Sequence, residues 1–138
     1  MKQPMRQKTA AVHAGRADLT ELGVHAPPLD RSSTYPLADL AEGRDSLAAF
    51  AGGAATAATP VYGRLFNQTT ARWEQAVATL EGADEAVAFA SGMASITAVL
   101  IASGAVGNHV VAVRPVYGGT DHLLASGLLG IDVTWALP

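Results

Sequence analysis

Apolar residues take on a clear helical spacing only after Asn67. From Thr69 or Thr70, either of which can cap a helix, Trp73, Ala76, Val77 and Leu80 recur three and four residues apart. That spacing predicts a helix to about Leu80 with one apolar stripe, stopped by Gly82. Ala86 to Phe89 is a short apolar strand candidate. Ser91-Gly92 then leads into a helix from about Met93 to Ser103. In it Ile96, Val99 and Leu100 can face a core, while Ala94 and Ala98 permit close backbone approach; Gly104 and Gly107 close the unit. His109 to Val113 is apolar and β-branched and predicts a second strand. A helix from about Gly119 to Ser126 and a third strand from Ile131 to Trp135 follow. Strand, helix, strand, helix, strand is the order of an α/β layer with a largely parallel sheet.

The first sixty residues carry weaker periodicity. Pro27, Pro28 and Pro36 interrupt it, as do Gly15, Gly23, Gly43, Gly52 and Gly53, so much of the region reads as an arm or irregular cover. Asp39 to Phe50 can hold a short helix. Ala51 to Thr59 is almost all Ala, Gly and Thr, which suits either a small-residue loop or a mobile segment near a site. A sheet of three strands with both edges open is a poor end point, and the pattern predicts that chain beyond Pro138 completes it.

Composition narrows the function classes. The 138 residues are 49% apolar and 15% charged, with a formal net charge of -3. Disorder calls for more charge and less apolar surface, and nucleic-acid binding for a basic stripe that this chain lacks. The absence of cysteine excludes disulfides, a thiol nucleophile and a thiolate metal site, and suits a cytoplasmic protein. His13, His25, His109 and His122 show no metal-ligand grouping. Ala86 to Val113 contains no Asp, Glu, Lys or Arg and is long enough to cross a bilayer. Its glycine-containing breaks and polar residues favour a buried strand, helix and strand instead.

Two local elements carry candidate chemistry. At the strand-to-helix corner Ala90-Ser91-Gly92-Met93-Ala94, a helix start leaves backbone N–H groups unpaired, Gly92 lets an anion approach, and Ser91 adds a hydroxyl. An ordinary tight turn before an apolar helix satisfies the same pattern. Tyr62 and Arg64, one residue apart, fall on the same side of an extended backbone. A guanidinium fork and a phenol suit a phosphate, although a surface arginine beside a half-buried tyrosine explains the pair as simply. Tyr117, before Gly118-Gly119, can offer a ring face to a planar group or serve as a core ring. Dinucleotide and triphosphate glycine fingerprints and the Gly-x-Ser-x-Gly elbow are missing. Asn67-Gln68-Thr69 matches the glycosylation pattern by chance.

Taken in order, these pieces resemble the transsulfuration, or cystathionine γ-synthase-like, family of pyridoxal-phosphate enzymes. The resemblance runs through Thr9-Ala10-Ala11-Val12-His13-Ala14-Gly15, Ser32-Ser33-Thr34-Tyr35, Tyr62-Gly63-Arg64, Asn67-Gln68-Thr69 and Leu80-Glu81-Gly82. It continues with Ala88-Phe89-Ala90-Ser91-Gly92-Met93-Ala94 and Tyr117-Gly118-Gly119-Thr120. It implies the N-terminal part of a fold type I, aminotransferase-like large domain: an arm over residues 1–60 and the start of the cofactor-binding α/β domain over 61–138. It also implies pyridoxal 5'-phosphate as cofactor. Ser91, Gly92 and Met93 match the phosphate turn, Tyr62 and Arg64 a pair that reaches the phosphate of a neighbouring subunit, and Tyr117 the ring that stacks on the pyridine. An amino-acid substrate, a dimer of catalytic dimers, and γ-replacement or γ- or β-elimination on homoserine derivatives, cystathionine, methionine or cysteine follow from the same likeness. The family often has serine at Gly63 and proline at Gln68, so both positions should loosen the local backbone.

Lysine is the larger departure. Only Lys2 and Lys8 occur, and neither is at the family's Schiff-base position, so no catalytic residue is assigned. The expectation is a fragment of such an enzyme that is inactive alone. The alternative is a non-catalytic interaction protein that modulates the oligomers of a relative.

Overall fold

The computed structural model describes residues 6–54 and 56–138. Its elements are α1 (Gln7–His13), α2 (Leu40–Ala51), α3 (Gln68–Glu81), α4 (Gly92–Ala102), β1 (His109–Val113), α5 (Gly118–Ala125) and β2 (Asp132–Ala136). They belong to two compact units, Met1–Ala88 and Phe89–Pro138.

In the first unit the helix predicted from Thr69 or Thr70 forms as α3, but its cap is Asn67 rather than either threonine. The Asn67 side-chain oxygen accepts the N–H groups of both threonines, satisfying two donors that a helix start otherwise leaves without partners. Gly82 ends the helix in the left-handed conformation at φ 66°, the role that favours glycine there. Of the predicted stripe, Ala76, Val77 and Leu80 are half-buried and Trp73 is 56% exposed, while the fully buried residues are Arg72 and Ala78. α1 packs on α3, and the turns that follow α1 bring Asp18 to Arg72. Asp39 caps α2 by accepting the Ala41 N–H.

Ala86 to Phe89 is not a strand. The Ala88 N–H donates instead to the Glu74 carboxylate at 2.7 Å, so its hydrogen bond goes to a helix side chain and not to a sheet ladder.

The second unit is a small parallel sheet flanked by helices. β1 and β2 pair in register from His109 opposite Asp132 to Val113 opposite Ala136. Alternation puts Val110, Ala112, Val133 and Trp135 on the face that packs with Leu100 and Leu129 against buried Ala105, Leu124 and Ile131. Burying a leucine side chain such as Leu124 contributes roughly 1.5–3 kcal/mol. Val111 and Val113 point away and are exposed. On α4 Leu100 reaches the core as expected, whereas Val99 is 65% exposed; a helix apolar on every side packs only the face its neighbours reach. At eleven residues α4 is about 16 Å long, half a bilayer core of about 30 Å. Among the described residues no helix is long and apolar enough to cross a membrane.

Candidate functional site

The first unit holds Tyr62 and Arg64. Thr34 and Tyr62 form an antiparallel bridge, Tyr35 N–H donates to the Val61 carbonyl at 3.2 Å, and Gly63 N–H donates to the Ser33 carbonyl at 2.8 Å. The motif Ser32 to Tyr35 is therefore the backbone partner of Tyr62-Gly63-Arg64. A Cβ on Gly63 would lie 2.5 Å from the Ser32 carbonyl oxygen. Gly63 thus allows a close strand-to-strand approach, where the sequence suggested only a looser backbone.

This hairpin-like contact is tied to α3. Asp30 N–H donates to the Thr69 hydroxyl at 2.8 Å, and the Asn67 amide donates to the Asp30 carbonyl at 3.2 Å. The Asp30 carboxylate accepts the Tyr35 hydroxyl and the Ser32 N–H. The Tyr35 hydrogen bond, followed by that from Ser32, holds the Asp30 carboxyl below its ordinary pKa, and the same bond raises the Tyr35 phenol above its own. Asn67, matched in sequence to a glycosylation pattern, is thereby a cap and a loop anchor together. The Arg64 guanidinium carbon stands 5.1 Å from the centre of the exposed Tyr62 ring, so the two side chains share a side as predicted. Arg64 also lines a cavity of about 300 Å³ with Asn67, Thr70 and Glu74.

The second unit holds Ser91, Gly92, Met93 and Tyr117. Ser91 is the cap of α4: its Oγ accepts the Ala94 N–H at 3.2 Å. A helix start leaves its first N–H groups without a carbonyl partner in the helix, and with Ala94 satisfied, those of Gly92 and Met93 remain available. A Cβ on Gly92 would meet nothing within 4 Å, so the approach to these donors is open. Two outward N–H groups at a helix start, with a hydroxyl beside them, can receive an anionic oxygen.

Met93 and Tyr117 come together across the starts of α4 and α5. A Cβ on Gly119 would lie 2.9 Å from Tyr117 Cε1 and 3.0 Å from Met93 Sδ, and the Thr120 hydroxyl donates to Met93 Sδ at 3.7 Å. Tyr117 is 72% exposed, which corrects the core-ring alternative and leaves a ring face free beside the open helix start.

Sequence reasoning missed Arg114, Asp121 and Trp135. The Arg114 Nε donates to Asp121 Oδ1 at 2.6 Å, and its guanidinium carbon lies 3.6 Å from the Trp135 ring centre. No spacing rule links these three, because the loop after β1 and the pairing of β2 bring them together.

Known proteins place the chain. Residues 8–136 match the family described as Cys/Met metabolism PLP-dependent enzyme. The chain belongs to that family. It is 58% identical over 132 residues to an L-methionine gamma-lyase of Streptomyces avermitilis, covering 94% of this chain and 32% of the relative. An L-methionine gamma-lyase of Brevibacterium sandarakinum is 53% identical over 96% of this chain and 34% of its own length. The crystal structure of metB from Corynebacterium glutamicum superposes with a TM-score of 0.77 at 28% identity, over 99% of this chain and 33% of that one. The chain thus spans about a third of the length of these relatives. The family is pyridoxal-phosphate dependent, and the fold is the α/β fold of its members.

Proposed function

We propose that this chain forms the phosphate- and ring-binding side of a pyridoxal-phosphate site in an enzyme of sulfur amino acid metabolism. The reaction is γ-replacement, or γ- or β-elimination, on a homoserine derivative, cystathionine, methionine or cysteine. γ-Elimination from methionine has the most support, because the relatives at 58% and 53% identity carry the name L-methionine gamma-lyase. One observation carries the site: the open N–H groups of Gly92 and Met93 stand in the same compact unit as the exposed ring of Tyr117, with Met93 Sδ and Tyr117 Cε1 around one small space.

The residues present fit the phosphate and ring end of the cofactor. Gly92 and Met93 N–H groups and the Ser91 hydroxyl would hold phosphate oxygens, the hydroxyl donating outward while its oxygen accepts from Ala94. Tyr117 would cover one face of the pyridine ring. Tyr62 and Arg64 would add a phenol and a permanent positive charge to the phosphate of a neighbouring subunit in a dimer of dimers. When bound, pyridoxal phosphate supplies an electron sink for negative charge developing on the amino-acid substrate. The chain's own part is to bind and orient: charge and donors fix one end of the cofactor, and the tyrosine ring fixes its plane. In this reading residues 1–60 form an arm and 61–138 begin the cofactor domain of a cytoplasmic protein.

Residues 1–138 contain Lys2 and Lys8 alone, so we propose that they hold the cofactor without a covalent bond and do not turn over substrate by themselves. The test is a titration of the 138-residue chain with pyridoxal phosphate, followed by phosphorus NMR and absorbance, then borohydride treatment and assay with methionine. Saturable, dialysable binding without turnover is expected. A lack of saturable binding, or a borohydride-stable adduct accompanied by turnover, would overturn the reading.

A further inference from the structure

We infer that Arg114 and Asp121 are positioning residues that, with Trp135, set the direction of the Tyr117 ring. The inference deepens the cofactor reading above, and its ligand-bound part rests on that reading.

Which rotamers an exposed tyrosine can adopt depends on its backbone φ/ψ, so fixing the loop that carries it narrows the directions open to its ring. Tyr117 follows Arg114 by three residues, and both ends of that segment are tied. Arg114 N–H donates to the Ala136 carbonyl at the end of β2, at 3.0 Å. The Arg114 side chain then turns back: Nε donates to Asp121 Oδ1 at 2.6 Å and Nη2 to Asp121 Oδ2 at 3.3 Å. Asp121 in turn donates its backbone N–H to the Tyr117 carbonyl at 2.9 Å. Sheet end, arginine, aspartate and tyrosine backbone thus form one closed circuit around Pro115 and Val116, and Pro115 stiffens it further by fixing its own φ.

Each member suits this task. The guanidinium is a planar fork, so its two contacts with one carboxylate fix an orientation as well as a distance. Its flat face lies on Trp135, 3.6 Å from the ring centre, which blocks it from swinging away. On the far side the ring of Tyr117 is limited by Met93 across the space left by Gly119. The ion pair is 43% and 36% exposed at its two side chains, and an ion pair that open to water adds little to global stability. Its consequence is therefore local: it selects one direction for the ring without being needed for the unit to fold.

The test reads the ring with and without ligand. Met93 is the sole methionine after residue 5, and its sulfur borders the same space at Gly119 as the Tyr117 ring, so its methyl resonance is the chosen reporter of that ring. In the 138-residue chain the Met93 methyl resonance is compared among the parent, Arg114→Gln, Asp121→Asn and Tyr117→Leu. Loss of the ring in Tyr117→Leu defines the full displacement. The expected result is that Arg114→Gln and Asp121→Asn each recover a large part of that displacement while the β1 and β2 amide signals stay in place. With ligand, the same two variants should bind pyridoxal phosphate roughly two- to tenfold more weakly, the range of a lost aromatic contact. An unmoved methyl in both variants overturns the inference, whatever the cofactor does. Loss of the strand signals in both also overturns it, since the pair would then be holding the unit together. If the parent fails to bind the cofactor, the stacking reading falls and the methyl comparison alone decides the role of Arg114 and Asp121.

Discussion

Arg72 holds Asp18 with two parallel hydrogen bonds, Nη1 to Oδ1 and Nη2 to Oδ2, although the residues are 54 positions apart. The arginine side chain is 8% exposed and the aspartate 34%. Arg72 Nε has no hydrogen-bond partner among the described residues, so the Asp18 carboxylate is the chief compensation for a buried positive charge. The hydrogen bond from Arg72 is the largest influence on the Asp18 carboxyl and holds it below the usual carboxylate range.

A carboxyl with a depressed folded-state pKa stabilises the fold fully above its unfolded pKa, and that contribution falls away as the pH drops through the folded value. The Tm of the first unit should therefore decline below about pH 4. Asp18→Asn should lower Tm at pH 7 and flatten this acid-side decline. Circular dichroism melts from pH 3 to pH 7 check it; parallel curves for parent and variant would remove the pair from the account.

Gly15 should not accept a side chain. It sits at φ 71°, and a Cβ there would lie 2.4 Å from the Arg72 carbonyl oxygen. Both the left-handed backbone and the close approach to a helix carbonyl oppose it. Gly15→Ala should cost more than about 1 kcal/mol, measured by urea unfolding. Gly23→Ala is the comparison: its φ is 64°, with nothing within 4 Å of the added Cβ, so it isolates the backbone cost from the clash.

Asn67→Ala should cost about 1 kcal/mol through loss of the α3 cap, seen as a Tm lower by a few degrees. Asn67→Asp keeps an oxygen for the Thr69 and Thr70 N–H groups but loses the amide donor to the Asp30 carbonyl. It should retain the helix while loosening the loop around Asp30, with faster amide exchange at Ser32 as the readout.

Ser91 combines two roles that substitution can separate. Ser91→Ala removes the α4 cap and should cost about 1 kcal/mol, whereas Ser91→Gly should cost only a few tenths. Both remove the hydroxyl proposed for the phosphate. Equal weakening of pyridoxal-phosphate affinity in the two variants identifies the hydroxyl; weakening in Ser91→Ala alone identifies the helix start.

The sequence by itself determined the order of the elements that build the second unit. Their signals are local: His109 to Val113 reads as β1 because β-branched residues suit a strand, and Gly82, Gly104 and Gly107 stop elements because each adopts a positive φ. The motifs around Ser91 and Tyr117 were legible for the same reason, as short runs of chain, and so was family membership. What the chain does with its apolar residues was not legible. Trp73 and Val99 fit helical stripes yet are exposed, since a periodicity names a face but not the neighbour that covers it. Ala86 to Phe89 looked like a strand, and Glu74 took its hydrogen bond instead. Only the tertiary structure paired Ser32 to Tyr35 with Tyr62 to Arg64, set Asp18 on Arg72, and joined Arg114, Asp121 and Trp135 around Tyr117. Those partners are distant along the chain or separated by irregular loops, and no local preference of backbone or side chain encodes such a meeting.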